Sequence, residues 1–274
     1  MCIATITFGH PAYAAIIASN RDEWFDRPAQ PLAWWHDDNI LGGRDCSAGG
    51  TWLAINRNGR FGLITNVRGQ AAINTDSNRS RGELIPQWLN FEGNYARFSD
   101  QLKCNAQQYA GFNLIFGEFQ NAANASLNVH YFTNAGDSEV QKLWPINFRN
   151  ESEERASLVT YGLSNAQLDT PWPKLEKLKK INERVYDLHA MHIDARICDA
   201  LLMNLLDSES FDGSPLSAIN VSASDFLNTG RDYGRRASSV ILVPNQGDIA
   251  FTESGSDGTI RSIRFGRQIS ELIR

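Results

Sequence analysis

The sequence predicts an α+β fold with mainly antiparallel β-structure, contained in one domain over residues 1–274. Short apolar runs separated by turn residues (Gly, Pro and Asn-Gly) lie at both ends of the chain, and such runs are typical of β-hairpins. Between them lie segments whose apolar residues are three and four positions apart, as in amphipathic helices. Neither an internal repeat nor a low-complexity linker divides the chain, which favours a single domain.

The composition predicts a soluble cytoplasmic protein. The net charge is −5 and no basic stripe is present, which argues against nucleic acid as the main partner. No apolar run approaches the length of a membrane span, and the N-terminus lacks the features of a signal peptide, so stable membrane insertion is not expected. The four cysteines have no disulfide-framework spacing, which suits a reducing compartment.

The first 25 residues predict a hairpin with strands at 2–8 and 13–19. The turn between them contains Gly9-His10-Pro11. In a hairpin, the end of the second strand returns beside the start of the first. We therefore expect Asn20, Arg21 and Asp22 to lie close to Cys2.

The next segment, 24–35, is predicted to be an aromatic loop, because its prolines and turn residues disfavour a regular strand. Asn58-Gly59 between two β-rich runs, 51–56 and 60–66, predicts a second hairpin. Helices are predicted at 82–91 and 98–109 from the spacing of their apolar residues.

Pro173 is predicted to begin the clearest helix, because proline is favoured at the first helical position and the apolar residues that follow share one face. The lysines of 174–180 are expected on its solvent face. A further helix is predicted at about 195–206. The remaining predicted strands are 111–119, 127–132, 157–163, 238–243, 249–252 and 259–265.

Cys2 has two interpretations. A cysteine near a chain end is often a small buried apolar residue. Alternatively, removal of Met1 would give Cys2 a free α-amine beside its thiol, and that amine, with a reference pKa of about 7.7–8.0, can take the thiol proton. Nucleophile and base would then be on one residue.

The polar residues that follow the first hairpin are either turn formers or parts of a site around Cys2. In the second interpretation, Asp22 would hold the α-amine and Arg21 would hold the thiolate or a substrate carboxylate. Asn66 and Asn165 each end a predicted apolar strand, where an Asn forms turns or donates to a developing oxyanion. Of Arg235 and Arg236, one buried member would complete an anion site.

No metal site is predicted. The five histidines lack metal-ligand spacing, and the pair His189 and His192 on one predicted helix end has no further ligands nearby in sequence.

Several short motifs together resemble the NRDE family, which is also called the transport and Golgi organisation protein 2 family. The similarity runs from Met1 to about residue 264. The segments that carry it are 1–3, Asn20-Arg21-Asp22-Glu23, Arg27-Pro28, 49–53, 63–66, 81–84, 111–114 and 161–165.

This resemblance implies a fold like that of the N-terminal-nucleophile hydrolases, a four-layer αββα sandwich of two mainly antiparallel sheets. Within that superfamily it implies similarity to cysteine amidases, which begin with Cys and continue with Arg-Asn-x-Asp. Here Asn20 and Asp22 match, and the arginine is at 21 rather than 19; residues two apart on a strand face the same side. Asn66 and Asn165 match the amidases' oxyanion residues, and Arg236 resembles their late arginine. No cofactor is required for that chemistry.

The resemblance also implies a second function of a different class, haem trafficking, with haem as cargo of a carrier or chaperone that performs no turnover. Haem needs an axial ligand or a flat apolar slot. The candidates in this sequence are Cys2, His36 and the aromatic segment 24–35. The resemblance leaves both functions open, and in either case it implies a small-molecule ligand, an amide substrate or haem.

Overall fold

A computed structural model describes residues 2–36, 39–69, 79–119, 127–136, 139–144, 158–189 and 195–266. The chain divides into two compact units, each with its own sheet. This division does not test the prediction of one domain over 1–274. The first unit contains Met1–Pro28 and Arg149–Arg264, and the second contains Ala29–Phe148 and Phe265–Arg274.

The sheet of the first unit has the N-terminal hairpin near its centre. β1 (Ile3–Phe8) and β2 (Tyr13–Trp24) pair antiparallel as predicted, and β2 continues beyond its predicted end because β11 (Tyr233–Pro244) pairs with it as far as Trp24. The segment expected to end the hairpin is therefore part of a strand. In spatial order the strands are β10 (Val159–Leu163), β1 (Ile3–Phe8), β2 (Tyr13–Trp24), β11 (Tyr233–Pro244), β12 (Ile249–Gly255) and β13 (Ile260–Phe265).

Two helices, α3 (Pro173–Leu188) and α4 (Ala195–Asn204), pack on this sheet. Their apolar stripes share a buried cluster with residues of β1, β2 and β11. A fully buried Asn182 ties the elements together: its Nδ2 donates to Thr5 Oγ1 at 3.0 Å, and its Oδ1 accepts from Asn204 Nδ2 at 2.9 Å. The predicted start of α3 at Pro173 is confirmed.

The sheet of the second unit has seven strands. The hairpin predicted from Asn58-Gly59 is confirmed as β5 (Leu53–Asn56) and β6 (Arg60–Asn66), with Gly59 at a φ of 84° that favours glycine. In spatial order the strands are β3 (Ala29–Trp34), β4 (Ile40–Asp45), β5 (Leu53–Asn56), β6 (Arg60–Asn66), β7 (Phe112–Phe119), β8 (Leu127–Thr133) and β9 (Gln141–Trp144).

Two helices also pack on the second sheet. A 3₁₀ turn at Arg81–Glu83 leads into α1 (Leu84–Leu89), and α2 (Tyr95–Asn105) follows after Asn94, whose side chain accepts a hydrogen bond from the backbone of Arg97. Buried aromatic residues of α1, α2 and the sheet form one core. Both predicted helices exist, with shifted boundaries.

The prediction of a loop over 24–35 is wrong for its second half, because β3 lies there. β3 is an edge strand of its sheet, and its register against β4 is irregular between Gln30 and Ala33, on either side of Pro31. Proline has no backbone N–H to donate, but an edge strand with a register shift accommodates it. The short strands β4 and β9 were also not predicted.

The prediction that Lys174 lies on the solvent face of its helix is wrong. Lys174 is only 2% exposed, and its Nζ donates to the carbonyl oxygen of Leu216 at 2.9 Å. A long side chain in the first turn of α3 reaches this carbonyl because the 3₁₀ turn Pro215–Ser217 passes close to it.

The predicted fold class, α+β with two mainly antiparallel sheets, is confirmed. The αββα layering stays a prediction. Within the described ranges, no helix is both long enough and apolar enough to cross a membrane.

Candidate functional site

Cys2 lies directly before β1, between β2 and the segment that follows β10. When the antiparallel register of β1 is continued by one residue against β2 and by two residues against β10, Arg21 lies to one side of Cys2 and Asn165 lies to the other. Arg21 and Asn165 are both buried. The Ser164 hydroxyl donates to the backbone carbonyl of Cys2 at 2.9 Å and fixes its backbone.

The Cys2 thiol is a free thiol whose charge state depends on Asp22 and Arg21. Burial raises the pKa of Cys2, and the negative charge of Asp22 raises it further. The positive charge of the N-terminal amine, a hydrogen bond from the backbone of Asp22 and the positive charge of Arg21 act in the opposite direction. The surroundings of Cys2 therefore contain groups that favour the thiolate, but burial has the largest effect on the pKa, which is raised.

Asn20 is completely buried, and its amide is used to hold the structure together. Its Nδ2 donates to the carbonyls of Leu205 at 2.8 Å and Ile219 at 3.0 Å. Its Oδ1 accepts from Ser238 Oγ at 2.7 Å. These bonds tie the segment after α4 to the middle of the sheet.

Asp22 is a buried carboxylate surrounded by polar groups from other elements. It lies opposite Arg235 in the register of β2 and β11, and the hydroxyl of Tyr233 donates to its backbone carbonyl at 3.1 Å. Burial raises the pKa of Asp22 to about 6, while the positive charges of the N-terminal amine, Lys174 and Arg235 oppose that rise. A carboxyl group with this pKa changes its charge close to physiological pH.

Arg235, on β11, is held by three acceptors from different parts of the first unit. It donates to Asn220 Oδ1 at 3.2 Å, to Ser238 Oγ at 3.3 Å and to the carbonyl of Ser254 at 3.3 Å. Ser238 in turn donates to Asn20, so a chain of hydrogen bonds connects Arg235 with Asn20.

Arg236, the arginine that the family resemblance selects, has different partners. The register of β11 against β2 shifts by one residue between Arg235 and Ala237, which makes Arg236 the extra residue of a β-bulge. Its Nη1 donates to the carbonyls of Trp24 at 2.7 Å, Phe25 at 3.1 Å and Arg27 at 3.0 Å. Arg236 therefore holds the turn that follows β2.

Asn66 is the last residue of β6, in the second unit, where it lies opposite Phe112. The other six predicted site residues are in the first unit: Cys2, Asn20, Arg21, Asp22, Asn165 and Arg236. Four of these, Cys2, Arg21, Asp22 and Asn165, come together at the start of β1. The convergence of all seven, and a catalytic role for each, stay predictions.

Lys174 is the residue of this region that the sequence analysis missed. The signal was present in the helical spacing, because Lys174 lies four residues before the buried Leu178 and eight before the buried Asn182. It therefore shares the face of α3 that packs on the sheet. Assigning every lysine of 174–180 to the solvent face overlooked that spacing.

The described residues contain no group of three or more His, Cys, Asp or Glu side chains that could hold a metal ion. His192, one member of the histidine pair considered above, lies outside the described residues. A cavity of about 170 Å³, lined by Trp88, Asn94, Tyr95, Glu118 and Asn128, lies in the second unit. It is smaller than the clefts of roughly 300–1,000 Å³ that hold drug-sized ligands.

A family model described as Transport and Golgi organisation 2 matches residues 1–257, which cover most of both units. The Transport and Golgi organization protein 2 homolog of Bos taurus is 33% identical over 288 residues, covering 94% of this chain and 95% of its own. The homologue of Mus musculus is 31% identical over 274 residues, covering 92% of each chain.

Two solved structures resemble this chain at low sequence identity. A mutant conjugated bile acid hydrolase from Clostridium perfringens is 8% identical with a TM-score of 0.49, covering 98% of this chain and 94% of its own. A Caenorhabditis elegans N-acylethanolamine-hydrolyzing acid amidase orthologue is 10% identical with a TM-score of 0.47, covering 88% of this chain and 92% of its own. Scores and identities this low do not transfer an activity.

Proposed function

This chain belongs to the Transport and Golgi organisation 2 family, and we propose that it is a cysteine amidohydrolase whose nucleophile is Cys2. The observation that supports the proposal is the set of groups around one free thiol. A buried arginine, a buried asparagine and a buried aspartate meet at the start of β1, beside Cys2. A thiol held only as a packing residue does not require these polar neighbours.

The proposal requires a free α-amino group on Cys2, which removal of Met1 supplies. An α-amine has a reference pKa of about 7.7–8.0, well suited to accept a thiol proton near neutral pH. The ionised carboxylate of Asp22 would orient the resulting α-ammonium and stabilise its charge. Arg21 would favour the thiolate, because a nearby positive charge lowers a thiol pKa.

In the first half-reaction, the Cys2 sulfur attacks the carbonyl carbon of the amide while the thiol proton passes to the α-amine. The carbonyl oxygen becomes an oxyanion, to which the amide N–H of Asn165 would donate. When this intermediate collapses, the C–N bond breaks and the α-ammonium returns the proton to the leaving nitrogen. The products are a free amine and a thioester on Cys2.

In the second half-reaction, water attacks the thioester and the α-amine takes a proton from that water. The C–S bond then breaks, a carboxylic acid leaves, and the sulfur recovers its proton from the α-ammonium. One amide and one water become one acid and one amine, so neither an oxidant nor a cofactor is consumed.

The first test is the intact mass of the protein purified from its own host, which reports whether Met1 has been removed. The second is a panel of N-acyl p-nitroanilides, followed by release of p-nitroaniline. Cys2→Ala should abolish hydrolysis and Cys2→Ser should retain at most a trace, because a hydroxyl has a far higher pKa than a thiol. Cys198→Ala, which removes another half-buried thiol of the first unit, is the matched control and should retain activity.

A haem carrier is the second candidate function. The observation that favours it is a group of side chains in the second unit. The exposed His36 follows Trp34 and Trp35, and the guanidinium of Arg57 lies 3.9 Å from the centre of the Trp34 ring. An imidazole, a flat indole surface and a cation are groups that would meet the iron, the ring and the carboxylates of haem.

Haemin titration separates the two functions. For a carrier, a saturable Soret band should appear, and replacing the axial ligand should shift it. His36→Ala and Cys2→Ala test the two candidate ligands, and His189→Ala is a control imidazole of the first unit. Saturable binding that His36→Ala removes, in a protein that hydrolyses no amide, would favour the carrier; titration without a saturable change would exclude it.

A further inference from the structure

Ser164 holds the backbone of Cys2 at a point where the strand pairing of β1 has already stopped. The last residue of β1 that pairs with β2 is Ile3, and the last that pairs with β10 is Ala4. Cys2 therefore lies beyond both ladders. The Ser164 hydroxyl donates to the carbonyl oxygen of Cys2 at 2.9 Å, and Ser164 is only 3% exposed.

A residue in the position of Cys2 frays unless other segments tie it down. The proposed function makes this requirement stronger, because removal of Met1 would leave Cys2 as the first residue of the chain. The Cys2 sulfur accepts a hydrogen bond from the backbone of Asp22 on β2, and the Cys2 carbonyl accepts one from Ser164, which follows β10. Cys2 is thus held from both flanking segments.

Ser164 also determines where Cys2 lies relative to the candidate oxyanion donor. Asn165 is the next residue in the chain, it is buried, and the continued register of β1 against β10 places it beside Cys2. One hydrogen bond therefore connects the backbone of the proposed nucleophile with the segment that carries the proposed oxyanion donor. Loss of this bond would let the two segments move independently.

We infer that Ser164 is a positioning residue of the site: through its bond to the Cys2 carbonyl, it keeps the Cys2 sulfur in register with the amide of Asn165. The inference rests on the proposed function for its catalytic consequence. Ser164 acts through Cys2 and not on the reacting atoms. The alternative role is purely structural, because a buried carbonyl requires a hydrogen-bond donor wherever it lies.

The two roles differ in their effect on turnover, so the main test compares kcat and KM of wild type and Ser164→Ala. If Ser164 positions the sulfur, kcat should fall about tenfold to a hundredfold, because a displaced nucleophile loses that much, whereas KM should change little. Ser164→Thr keeps the hydroxyl and should restore most of kcat. Ser239→Ala, the matched control, removes another buried hydroxyl of the same sheet, which donates to Glu253, and should leave kcat unchanged.

A second measurement needs no substrate. The carbonyl of Cys2 and the N–H of Ile3 belong to one peptide group, so loosening the carbonyl also loosens that N–H. Hydrogen exchange at Ile3, followed by NMR, should be about two- to tenfold faster in Ser164→Ala, the range expected for loss of one hydrogen bond, and Ser164→Thr should restore it. Exchange at Ile6, which is paired with strands on both sides, should not change.

Three results would overturn the inference. A kcat of Ser164→Ala equal to that of wild type would mean that the bond only satisfies a carbonyl, even if exchange at Ile3 is faster. A lower kcat without faster exchange at Ile3 would mean that the effect does not pass through the Cys2 backbone. An equal fall of kcat in Ser239→Ala would mean that any lost buried hydroxyl has this effect. If Ser164→Ala folds poorly, Ser164→Cys, whose thiol is a weak donor, gives the same comparison.

The failure of this inference and that of the proposed function are distinguishable. If the wild type hydrolyses no amide after Met1 has been removed, the amidohydrolase proposal fails, and exchange at Ile3 alone decides whether Ser164 fixes the Cys2 backbone. If the wild type hydrolyses amides and Ser164→Ala has the same kcat, the inference about Ser164 fails alone.

Discussion

Replacing Asp22 by Asn should make the protein more stable at pH 8 while removing the charge that the proposed chemistry needs. Asn has the size and shape of a protonated aspartate, so Asp22→Asn approximates a permanently neutral Asp22. The native carboxylate is 4% exposed, and its pKa lies at about 6 instead of the ordinary 3.8. The folded state therefore favours the neutral form, even with Lys174 and Arg235 present.

The magnitude follows from the difference between the folded and unfolded pKa values. A rise of about two units, at 1.36 kcal/mol per unit, corresponds to about 3 kcal/mol. Between pH 4 and 6 the folded state binds more protons at Asp22 than the unfolded state does, so stability falls as the pH rises through this window. The contribution is fully present below the unfolded pKa and is lost above the folded one.

The assay is urea unfolding of wild type and Asp22→Asn at several pH values between 4 and 8. The variant should be more stable by about 3 kcal/mol at pH 8, and the difference should shrink toward zero at pH 4. Taking the difference between the two proteins cancels the titration of other groups such as His130, whose pKa burial lowers to about 4. Asp26→Asn, which alters an exposed carboxylate of the same unit, should show no such gain.

Two results would refute this reasoning. A variant that is less stable than wild type at pH 8 would mean that the ionised carboxylate stabilises the fold. A difference that does not change with pH would mean that the effect comes from packing or hydrogen bonding and not from ionisation. Either result would also remove the electrostatic reason for proposing Asp22 as a site residue.

Three further expectations concern neighbouring features. While Met1 is retained, iodoacetamide should label Cys2 more slowly than the exposed Cys46, because burial raises the pKa of Cys2. Removal of Met1 should reverse the order of the two labelling rates. Peptide mass spectrometry measures both rates. Gly59→Ala should destabilise the protein by about 1–3 kcal/mol in urea unfolding. The φ of 84° is unfavourable for alanine, and the new Cβ would lie 2.7 Å from a carbonyl oxygen of β7. Unchanged stability would contradict the hairpin geometry. Arg236→Ala should increase amide hydrogen exchange in residues 24–27, since three carbonyls there lose their donor, whereas Arg231→Ala, which removes an exposed ion pair, should change it less.

Features set by local sequence were predictable. The hairpin of β1 and β2 was predicted because two apolar runs are joined by a short turn, and that prediction was enough to bring Arg21 beside Cys2. The hairpin at Gly59 and the start of α3 at Pro173 were predicted for similar local reasons. In each case the determining residues lie within a few positions of one another.

Features set by distant pairing were not predictable in the same way. β2 continues through Asp22 because β11 pairs with it, and residues of these strands, such as Asn20 and Ser238, are 218 positions apart in the chain. No local pattern in 20–23 distinguishes a strand from a turn. The burial of Lys174 likewise depends on the segment around Leu216, which packs against the first turn of α3.

The single extra residue in β11 limits how relatives can be compared at this position. Upstream of the bulge, Arg235 lies opposite Asp22; downstream, Ala237 lies opposite Arg21, and Arg236 between them holds the turn after β2. A one-residue deletion here would leave a single arginine to perform both tasks, and a one-residue insertion would change which arginine faces the carboxylate. An alignment whose gap is misplaced by one position would therefore equate Arg235, which lies opposite Asp22, with Arg236, which holds the turn after β2.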